Sequence, residues 1–259
     1  MQLMETGLLP RRPETREMMA SEHQLEFGEE VQRETVIQPI SWIRDQQSKP
    51  SCVGQAFAAG VDAHIPEGQP FCSAVDLWRD ARRRQGNLEG VLEGTRAEYV
   101  IASLIERGWS PFKEGEDARD IDLDDDETGS LADEMFAHDK RQTNVTNYDI
   151  SRNRVDQTIV ALQRGYVVGG GWGLADKFFR PPPDTILDPS FMNTNTNGHE
   201  MRIVAYFADL RAFLLQNSWS PFWTWCVVNG VTYRGCCLIS EESVEVAWDL
   251  DAVEIKLAA

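Results

Sequence analysis

The sequence predicts an α+β fold in which helices fill the first half of the chain and strands fill the second. Two segments of the first half repeat apolar residues at helical spacing, SAVDLWRDARRRQG and EGTRAEYVIASLIERGWSP. The second half holds short β-rich runs separated by turn residues such as Asn229-Gly230, which is typical of antiparallel strands. With 259 residues, 42% of them hydrophobic, the chain can bury the core of one large domain or of two lobes that share an interface.

Residue types at the ends of these segments predict where the helices begin and end. Ser73 is expected to cap the first amphipathic helix and Gly86 to end it. Thr95 is expected to cap the second and Gly108 to end it. A further helix in SRNRVDQTIVALQRG is expected to stop at Gly165 and to run into an apolar strand.

That strand is unusually rich in glycine, at Gly169, Gly170, Gly171 and Gly173. No GxxxxGK[ST] and no helix-opening GxGxxG occurs, which argues against a phosphate-binding loop. The glycines indicate either close approach of other backbone in a crowded strand or room for a substrate backbone.

Composition divides the chain into three predicted parts. Residues 1–35 are polar and weakly periodic and are predicted to form an N-terminal arm. Residues 36–140 form a helical lobe and residues 141–259 a β-rich lobe. The acidic run DIDLDDDETG lies near this boundary, and it lacks the glycine and the final glutamate of an EF-hand, so a solvated loop is expected.

The formal net charge of −17 restricts the partners that the chain can have. It repels nucleic acid phosphates and anionic lipid heads, so neither is expected as a main partner. A basic peptide or a basic partner surface is compatible with this charge, but solubility alone also explains it. No apolar run reaches the roughly 20 residues that span a bilayer, and no signal peptide pattern is present, so we expect a location in the cytoplasm or within a virion.

The five cysteines do not form a metal or disulfide pattern. They are Cys52, Cys72, Cys226, Cys236 and Cys237. An odd number without an export signal favours a reducing compartment, and the adjacent pair near the end is expected to be two buried thiols beside a strand. No CxxC or HxxxH spacing exists, so neither a metal nor a cofactor is expected.

Cys52 has the surroundings of a nucleophile at the start of a helix. It follows the turn signal Pro50-Ser51 and precedes the small-residue helix AFAAGVDAH. A helix N-terminus and a nearby imidazolium both stabilise a thiolate, which is the nucleophilic form of cysteine.

His199 is the histidine best placed to act as the base for that thiol. His23 lies in the polar arm, and His138 lies beside the acidic run. His64 follows the thiol by roughly 18 Å along a continuous helix, which is out of reach. His199 opens the apolar run IVAYF, and Asn217 opens NSW at the end of the next apolar run, so adjacent antiparallel strands would bring the two together.

Four segments of the sequence, taken in order, resemble conserved motifs of the papain-like cysteine peptidases. They are DQQSKPSCVGQAFA, EGTRAEYVIASLIERGWSP, GHEMRIVAYF and LLQNSWS. In that family the histidine and asparagine follow the cysteine by about 130 to 150 residues. Here His199 follows Cys52 by 147 residues and Asn217 follows it by 165, slightly beyond that interval. The resemblance spans about residues 36–250 and implies two lobes, the second an antiparallel β-barrel-like lobe, with an active-site cleft between them.

The resemblance also implies a role for each matched residue. Cys52 would attack the scissile carbonyl of a polypeptide, His199 would take and return the proton, and Asn217 would orient the imidazole. The Gln46 side chain, with the Cys52 backbone N–H, would form the oxyanion hole. Trp219 would shield the Asn217–His199 hydrogen bond from water. The implied function is peptide hydrolysis through an acyl-enzyme, and the same site would also serve isopeptides, including cell-wall peptide crosslinks.

The chain departs from the family pattern at three places. Val53-Gly54 stand where the family has an aromatic residue after the nucleophile, and Lys49 stands where it has a disulfide cysteine. The segment SPFW follows Asn-Ser-Trp, where the family has glycine and a Trp-Gly pair. These departures indicate a divergent microbial or phage branch, and they bear on the substrate pocket more than on the Cys–His pair.

An alternative hypothesis gives residues 1–35 a role in assembly. A polar arm needs a partner to become ordered, and a large assembly such as a phage particle could supply one while using the fold as a structural component or as cargo. The arm is too short for the family's helical prodomain. An arm packed on other chains would support the assembly hypothesis, whereas an arm lying in its own cleft would support a self-inhibited enzyme.

Overall fold

The computed structural model describes residue 8 and residues 31–40, 42–47, 49–86, 94–112, 141 and 143–257. Within these residues the α-helices are α1 (Cys52–Asp62), α2 (Ala74–Gln85), α3 (Ala97–Arg107), α4 (Arg154–Gln163) and α5 (Glu241–Glu245). The strands are β1 (Val36–Ile37), β2 (Thr143–Asp149), β3 (Val167–Gly173), β4 (Ile186–Leu187), β5 (Gly198–Phe207), β6 (Ala212–Gln216), β7 (Trp225–Val228), β8 (Val231–Arg234), β9 (Cys236–Ser240) and β10 (Asp249–Leu257). The fold is α+β, as the sequence predicts.

The helix ends agree with the sequence signals except at the start of α3. The Ser73 side chain accepts a backbone hydrogen bond in the first turn of α2, and Gly86, with φ of 79°, ends that helix. The N-cap of α3 is Arg96, so the prediction that Thr95 caps it is wrong. The Thr95 hydroxyl instead donates to Gln85 Oε1 at 3.2 Å, which ties the start of α3 to the end of α2.

The large sheet is antiparallel except at one edge and remains open instead of closing into a barrel. Its strand order is β2-β10-β3-β5-β6-β9-β4, and β1 pairs with β5 beside that path. Strand β4 is parallel to β9. Strands β7 and β8 form a separate hairpin whose turn residues Asn229 and Gly230 both have positive φ, as the Asn-Gly signal predicts.

Helix α1 lies between the sheet on one side and helices α2 and α3 on the other. Its apolar residues share a core with those of α2 and α3 and with Val167, Val253 and Ile255 of the sheet. A second core lies where α4 and α5 cover the sheet. Strand β1 belongs to the sheet although it precedes α1, because Val36 pairs with Tyr206. The division of the chain at residues 140 and 141 stays a prediction.

Gly54 explains how α1 approaches α2 so closely. A Cβ at this position would lie 2.5 Å from the Ala74 carbonyl oxygen and 3.0 Å from Trp78 Cβ. Any side chain at position 54 would therefore collide with the start of α2. Glycine at this position has a packing reason inside this chain.

Candidate active site

Cys52 is the first residue of α1, which places its thiol at the helix N-terminus. Ser51 is the N-cap and contributes no side-chain capping bond. The partial positive charge of a helix N-terminus favours a negative thiolate there. The side chain is 0% exposed and packs with Leu8, Val53 and Phe57. The predicted nucleophile therefore lies inside the interface between the helices and the sheet.

His199 and Asn217 are brought together by the pairing of β5 with β6. The strands are antiparallel, His199 is the second residue of β5, and Asn217 follows the last residue of β6. His199 Nε2 and Asn217 Oδ1 are 2.7 Å apart. Asn217 Oδ1 also accepts the Ser218 backbone N–H at 2.7 Å. The juxtaposition that the sequence predicted is present in the structure.

The Asn217 oxygen also fixes the tautomer of the His199 ring. A carbonyl oxygen can only accept, so Nε2 must carry the hydrogen and donate it. In the neutral ring Nδ1 then holds the free electron pair. Nδ1 is buried, and no hydrogen-bond partner for it occurs among the described residues. The imidazole is thus prepared to accept a proton through Nδ1.

Burial controls the charge of this imidazole. Removal from water lowers the pKa of His199 to about 4, and the hydrogen bond to Asn217 opposes this only in part. The ring is therefore neutral near pH 7 in this arrangement. A neutral imidazole with an open Nδ1 can act as a general base toward a thiol.

Trp219 covers the histidine from one side. Its ring centroid lies 4.3 Å from that of His199, at an interplanar angle of 28°. It also packs on Phe178, Phe179 and Trp223 and is almost fully buried. This aromatic cluster excludes water from the ring and from its bond to asparagine, which is the position that the resemblance implies for a shielding tryptophan.

Gln46 lies against the segment that carries Asn217. Its backbone N–H donates to the Ser218 carbonyl at 2.8 Å, and the Ser218 hydroxyl donates to Gln46 Oε1 at 2.6 Å. One hydrogen of Gln46 Nε2 is donated to the Lys49 carbonyl at 2.8 Å. The amide is therefore held in one orientation within the loop that leads to Cys52. Its role in an oxyanion hole stays a prediction.

Leu8 is a site residue that the sequence reasoning missed. Its backbone N–H donates to the Gly198 carbonyl at 2.9 Å, and it forms a parallel bridge with Thr95. Gly198 directly precedes His199, so this part of the arm lies between the helices and the histidine strand. The only signal was the apolar pair Leu8-Leu9 within a polar arm.

The remaining sequence candidates lie elsewhere. His64 follows the far end of α1, where its ring nitrogens contact the Gly60 and Gly165 carbonyls at 3.0 and 3.2 Å. This agrees with its exclusion as a partner of Cys52. His23, His138 and the acidic run at residues 120–129 lie outside the described residues.

All five cysteines are buried and none forms a disulfide with another, and Cys236 and Cys237 lie in β9. Burial raises the pKa of Cys226 to about 12 and raises the pKa of both thiols in β9. In the described part of the chain, no group of three or more His, Cys, Asp or Glu side chains could hold a metal ion. No helix there is long and apolar enough to cross a membrane.

Comparison with known proteins identifies the fold. No protein-family model matches the sequence, and no curated protein matches it. Among solved structures, xylellain, a cysteine protease from Xylella fastidiosa, is 17% identical with a TM-score of 0.68, covering 100% of this chain and 99% of that chain. Procathepsin B S9 from Trypanosoma congolense is 13% identical with a TM-score of 0.68, covering 98% and 87%.

A third match is the Carica candamarcensis cysteine protease CMS1MS2 in complex with E-64. It is 16% identical with a TM-score of 0.54, and the match covers 85% of this chain and 94% of that chain. Identities this low show the fold alone. The chain has the papain-like cysteine protease fold, as the resemblance in its sequence implied.

Proposed function

We propose that the chain is a cysteine peptidase that hydrolyses peptide bonds through an acyl-enzyme on Cys52. The observation that carries this proposal is the His199–Asn217 hydrogen bond, which leaves Nδ1 as the open, basic nitrogen of a buried ring. The position of Cys52 at the N-terminus of α1 supports it further. The papain-like fold, which the matched proteases share, also supports it.

The proposed reaction proceeds in two stages. The Cys52 thiol transfers its proton to His199 Nδ1, and the sulfur attacks the carbonyl carbon to form a tetrahedral intermediate. The intermediate collapses as the C–N bond breaks, and His199 gives the proton to the leaving amine. Water then gives a proton to His199 and attacks the thioester carbonyl carbon to form a second tetrahedral intermediate. This intermediate collapses as the C–S bond breaks, which releases the carboxylic acid, and His199 returns the proton to the sulfur to restore the thiol.

Labelling with an epoxysuccinyl probe such as E-64 tests this proposal. We expect stoichiometric labelling of the native chain at Cys52 and none in Cys52→Ala. His199→Ala should label far more slowly, because the thiol has lost its base. Cys226→Ala is the matched control and should label like the native chain, since the raised pKa of Cys226 leaves little thiolate there. Labelling that persists in Cys52→Ala, or that equals that of the denatured chain, contradicts the proposal.

The same chemistry would act on an isopeptide, so cell-wall peptide crosslinks remain a second substrate class for this site. The position of Leu8 supports self-inhibition by the N-terminal arm, because residue 8 bridges Thr95 and Gly198 beside His199. The hypothesis of a component or cargo of a phage particle gains no support from the matched proteases.

A further inference from the structure

The β7–β8 hairpin has one edge, along β8, that pairs with no other strand of the described chain. The Gly235 backbone N–H donates to the Thr224 carbonyl at 2.7 Å, so these two residues form a hydrogen-bonded pair at the base of the hairpin. Bonded and non-bonded pairs alternate along an antiparallel ladder. Thr232 and Arg234 therefore direct their backbone N–H and C=O groups away from β7. No backbone partner for these groups occurs among the described residues.

The opposite edge of the hairpin, along β7, is closed by Asp184. Its backbone N–H donates to the Trp225 carbonyl at 3.0 Å, and its carboxylate accepts the Val227 backbone N–H at 2.8 Å. A side chain that caps edge groups in this way prevents another strand from pairing there. Strand β8 has no such cap in the part of the chain that the structure describes, so its edge can accept the backbone of another extended segment.

Exposed apolar side chains are concentrated at the same hairpin. Of the nine large apolar residues that are exposed in the described ranges, four lie between residues 222 and 231. Phe222 is 85% exposed, and Trp225, Val227 and Val231 are the other three. Trp225 and Val227 share the outer face of β7, because the residues that alternate with them are buried. An open strand edge beside apolar surface favours association with another polypeptide.

The distribution of charge favours a second copy of the same chain as the occupant of this edge. Residues 211–240 contain no Asp or Glu, although the whole chain contains 42. Two copies that each carry a net charge of −17 repel each other, and this acid-free segment is where they can approach with the least repulsion. Strand β8 itself carries one charge, that of Arg234.

We propose that β8 pairs with β8 of a second copy about a two-fold axis, so that the two hairpins form one four-stranded antiparallel sheet. An axis beside Tyr233 places Thr232 opposite Arg234 of the partner subunit. In this register the outward N–H and C=O groups of both residues are paired, and the two Tyr233 side chains face each other. The two arginines are not opposite each other, so no like charges meet directly. Closed two-fold dimers are the commonest soluble oligomers.

Sedimentation velocity of the full chain, over a concentration series of about 1–100 µM, tests this proposal. We expect the mass to rise from 29.3 kDa toward twice that value. Thr232→Pro removes one outward N–H at an edge position where proline is tolerated, and it should raise the dissociation constant at least about tenfold. Thr232→Val keeps the N–H and should associate like the native chain. A chain that stays monomeric throughout, or equal association of the two variants, overturns the inference.

A charge substitution tests the same edge and leaves every backbone group in place. Arg234→Glu puts an acidic group into the acid-free segment, so the dissociation constant should rise severalfold at low salt and recover at high salt. Arg152→Glu makes the same change in net charge at an exposed position outside the hairpin and should have little effect. For the native chain, salt should tighten the dimer because it screens the repulsion between the copies. Equal effects of the two variants, or a native dimer that salt weakens, contradict the proposal.

Cross-linking tests the register. The Tyr233→Cys and Val231→Cys chains are each treated with diamide, which takes up the two hydrogens of a pair of thiols as the disulfide forms. Thiols at position 233 face each other across the axis, so that variant should form a covalent dimer. Thiols at position 231 are separated by several residues along the strands, and that variant should form none. A covalent dimer in both variants, or in neither, overturns the proposed pairing. None of these measurements depends on Cys52, so they succeed or fail independently of the proposed peptidase function.

Discussion

At the scale of single residues, the candidate site depends on one buried imidazole whose two nitrogens have different surroundings. Nε2 of His199 is bonded to Asn217, and Nδ1 has no hydrogen-bond partner within the part of the chain that the structure describes. The sequence could predict this pair, because an apolar run opening with His199 is followed by a second run that ends in Asn217. It could not predict the depth of burial, which depends on how Trp219 folds over the ring.

Burial of His199 has a consequence for stability at acid pH. Its pKa is about 4 in the folded chain against 6.5 for an ordinary histidine, so the unfolded chain binds the proton more readily. The free energy of unfolding should therefore fall as the pH drops from about 6.5 to about 4, by up to about 3 kcal/mol. Denaturant unfolding at several pH values measures this. His199→Gln should lose this part of the pH dependence, whereas the control His64→Gln should retain it; equal slopes in both would contradict the prediction.

At the scale of elements, the position of α1 determines where the thiol lies. Gly54 lets α1 contact the first turn of α2, and Gly60 lets it contact Val167 of β3. Helix propensity alone would disfavour two glycines within one helix. The sequence could predict the helix but not its neighbours, since contacts between α1, α2 and β3 depend on tertiary packing.

Gly54→Ala should move α1 and so displace Cys52. The new methyl group would meet the Ala74 carbonyl, which is backbone and cannot rotate away. We expect a loss of about 1–3 kcal/mol in the free energy of unfolding and slower epoxysuccinyl labelling of the folded chain. Gly86→Ala, strained by a φ of 79° but far from the thiol, should lose about 1 kcal/mol and label normally. Normal labelling of Gly54→Ala would contradict the prediction.

The arm is the second element with a testable role. Leu8→Asp places a charge in the buried apolar core around α1, and the cost of removing that charge from water should expel residue 8 from its place beside Gly198. We expect the labelling rate of Cys52 to rise severalfold while the thermal unfolding temperature changes little. Leu210→Asp, at a position that is 41% exposed, is the control and should label like the native chain. An unchanged or lower rate in Leu8→Asp would show that residue 8 does not restrict access.

At the scale of the whole molecule, Arg202 joins the parts that the site requires. It is buried in β5 and donates to the carbonyls of Pro39 and Ala59 at 3.2 and 3.1 Å, and to the side chains of Gln38 and Gln216 at 2.9 and 3.3 Å. It thus connects α1, the segment after β1 and the histidine strand. Burial lowers the pKa of Arg202 to about 10, so the guanidinium keeps its charge near neutral pH.

Arg202→Met should therefore destabilise the fold more than any surface charge does. Several buried oxygens would lose their donor, which we expect to cost about 3–5 kcal/mol in the free energy of unfolding. Arg211→Met is the control: its side chain is 70% exposed, so its pair with Glu241 should contribute at most about 1 kcal/mol. Equal losses in the two variants, measured by denaturant unfolding, would contradict the assigned role.

Features that depend on local residue types could be predicted from the sequence, whereas features that depend on long-range strand pairing could not. The helix ends at Gly86 and Gly108 and the hairpin turn at Asn229-Gly230 follow from backbone conformations that only a few residue types favour. The placement of Gly171 between Glu200 and Asp249 was not predictable, because it depends on the registers of β3 with β5 and with β10, and register is a property of long-range pairing. Thr95 was misassigned for the same reason, since its partners are Gln85 and Leu8.

The order of these elements along the chain also bears on when the candidate site is assembled during synthesis. The ribosome makes α1 before the other helices, whereas the apolar residues beneath it include Val253 and Ile255 of the last strand. At about 5–20 residues per second, roughly ten to forty seconds separate α1 from β10. His199 is made before β10, but the sheet beneath α1 is complete only when β10 has been made. Under the proposed function, a growing chain would therefore carry the thiol without an assembled site, and its neighbours on the ribosome would be protected from it.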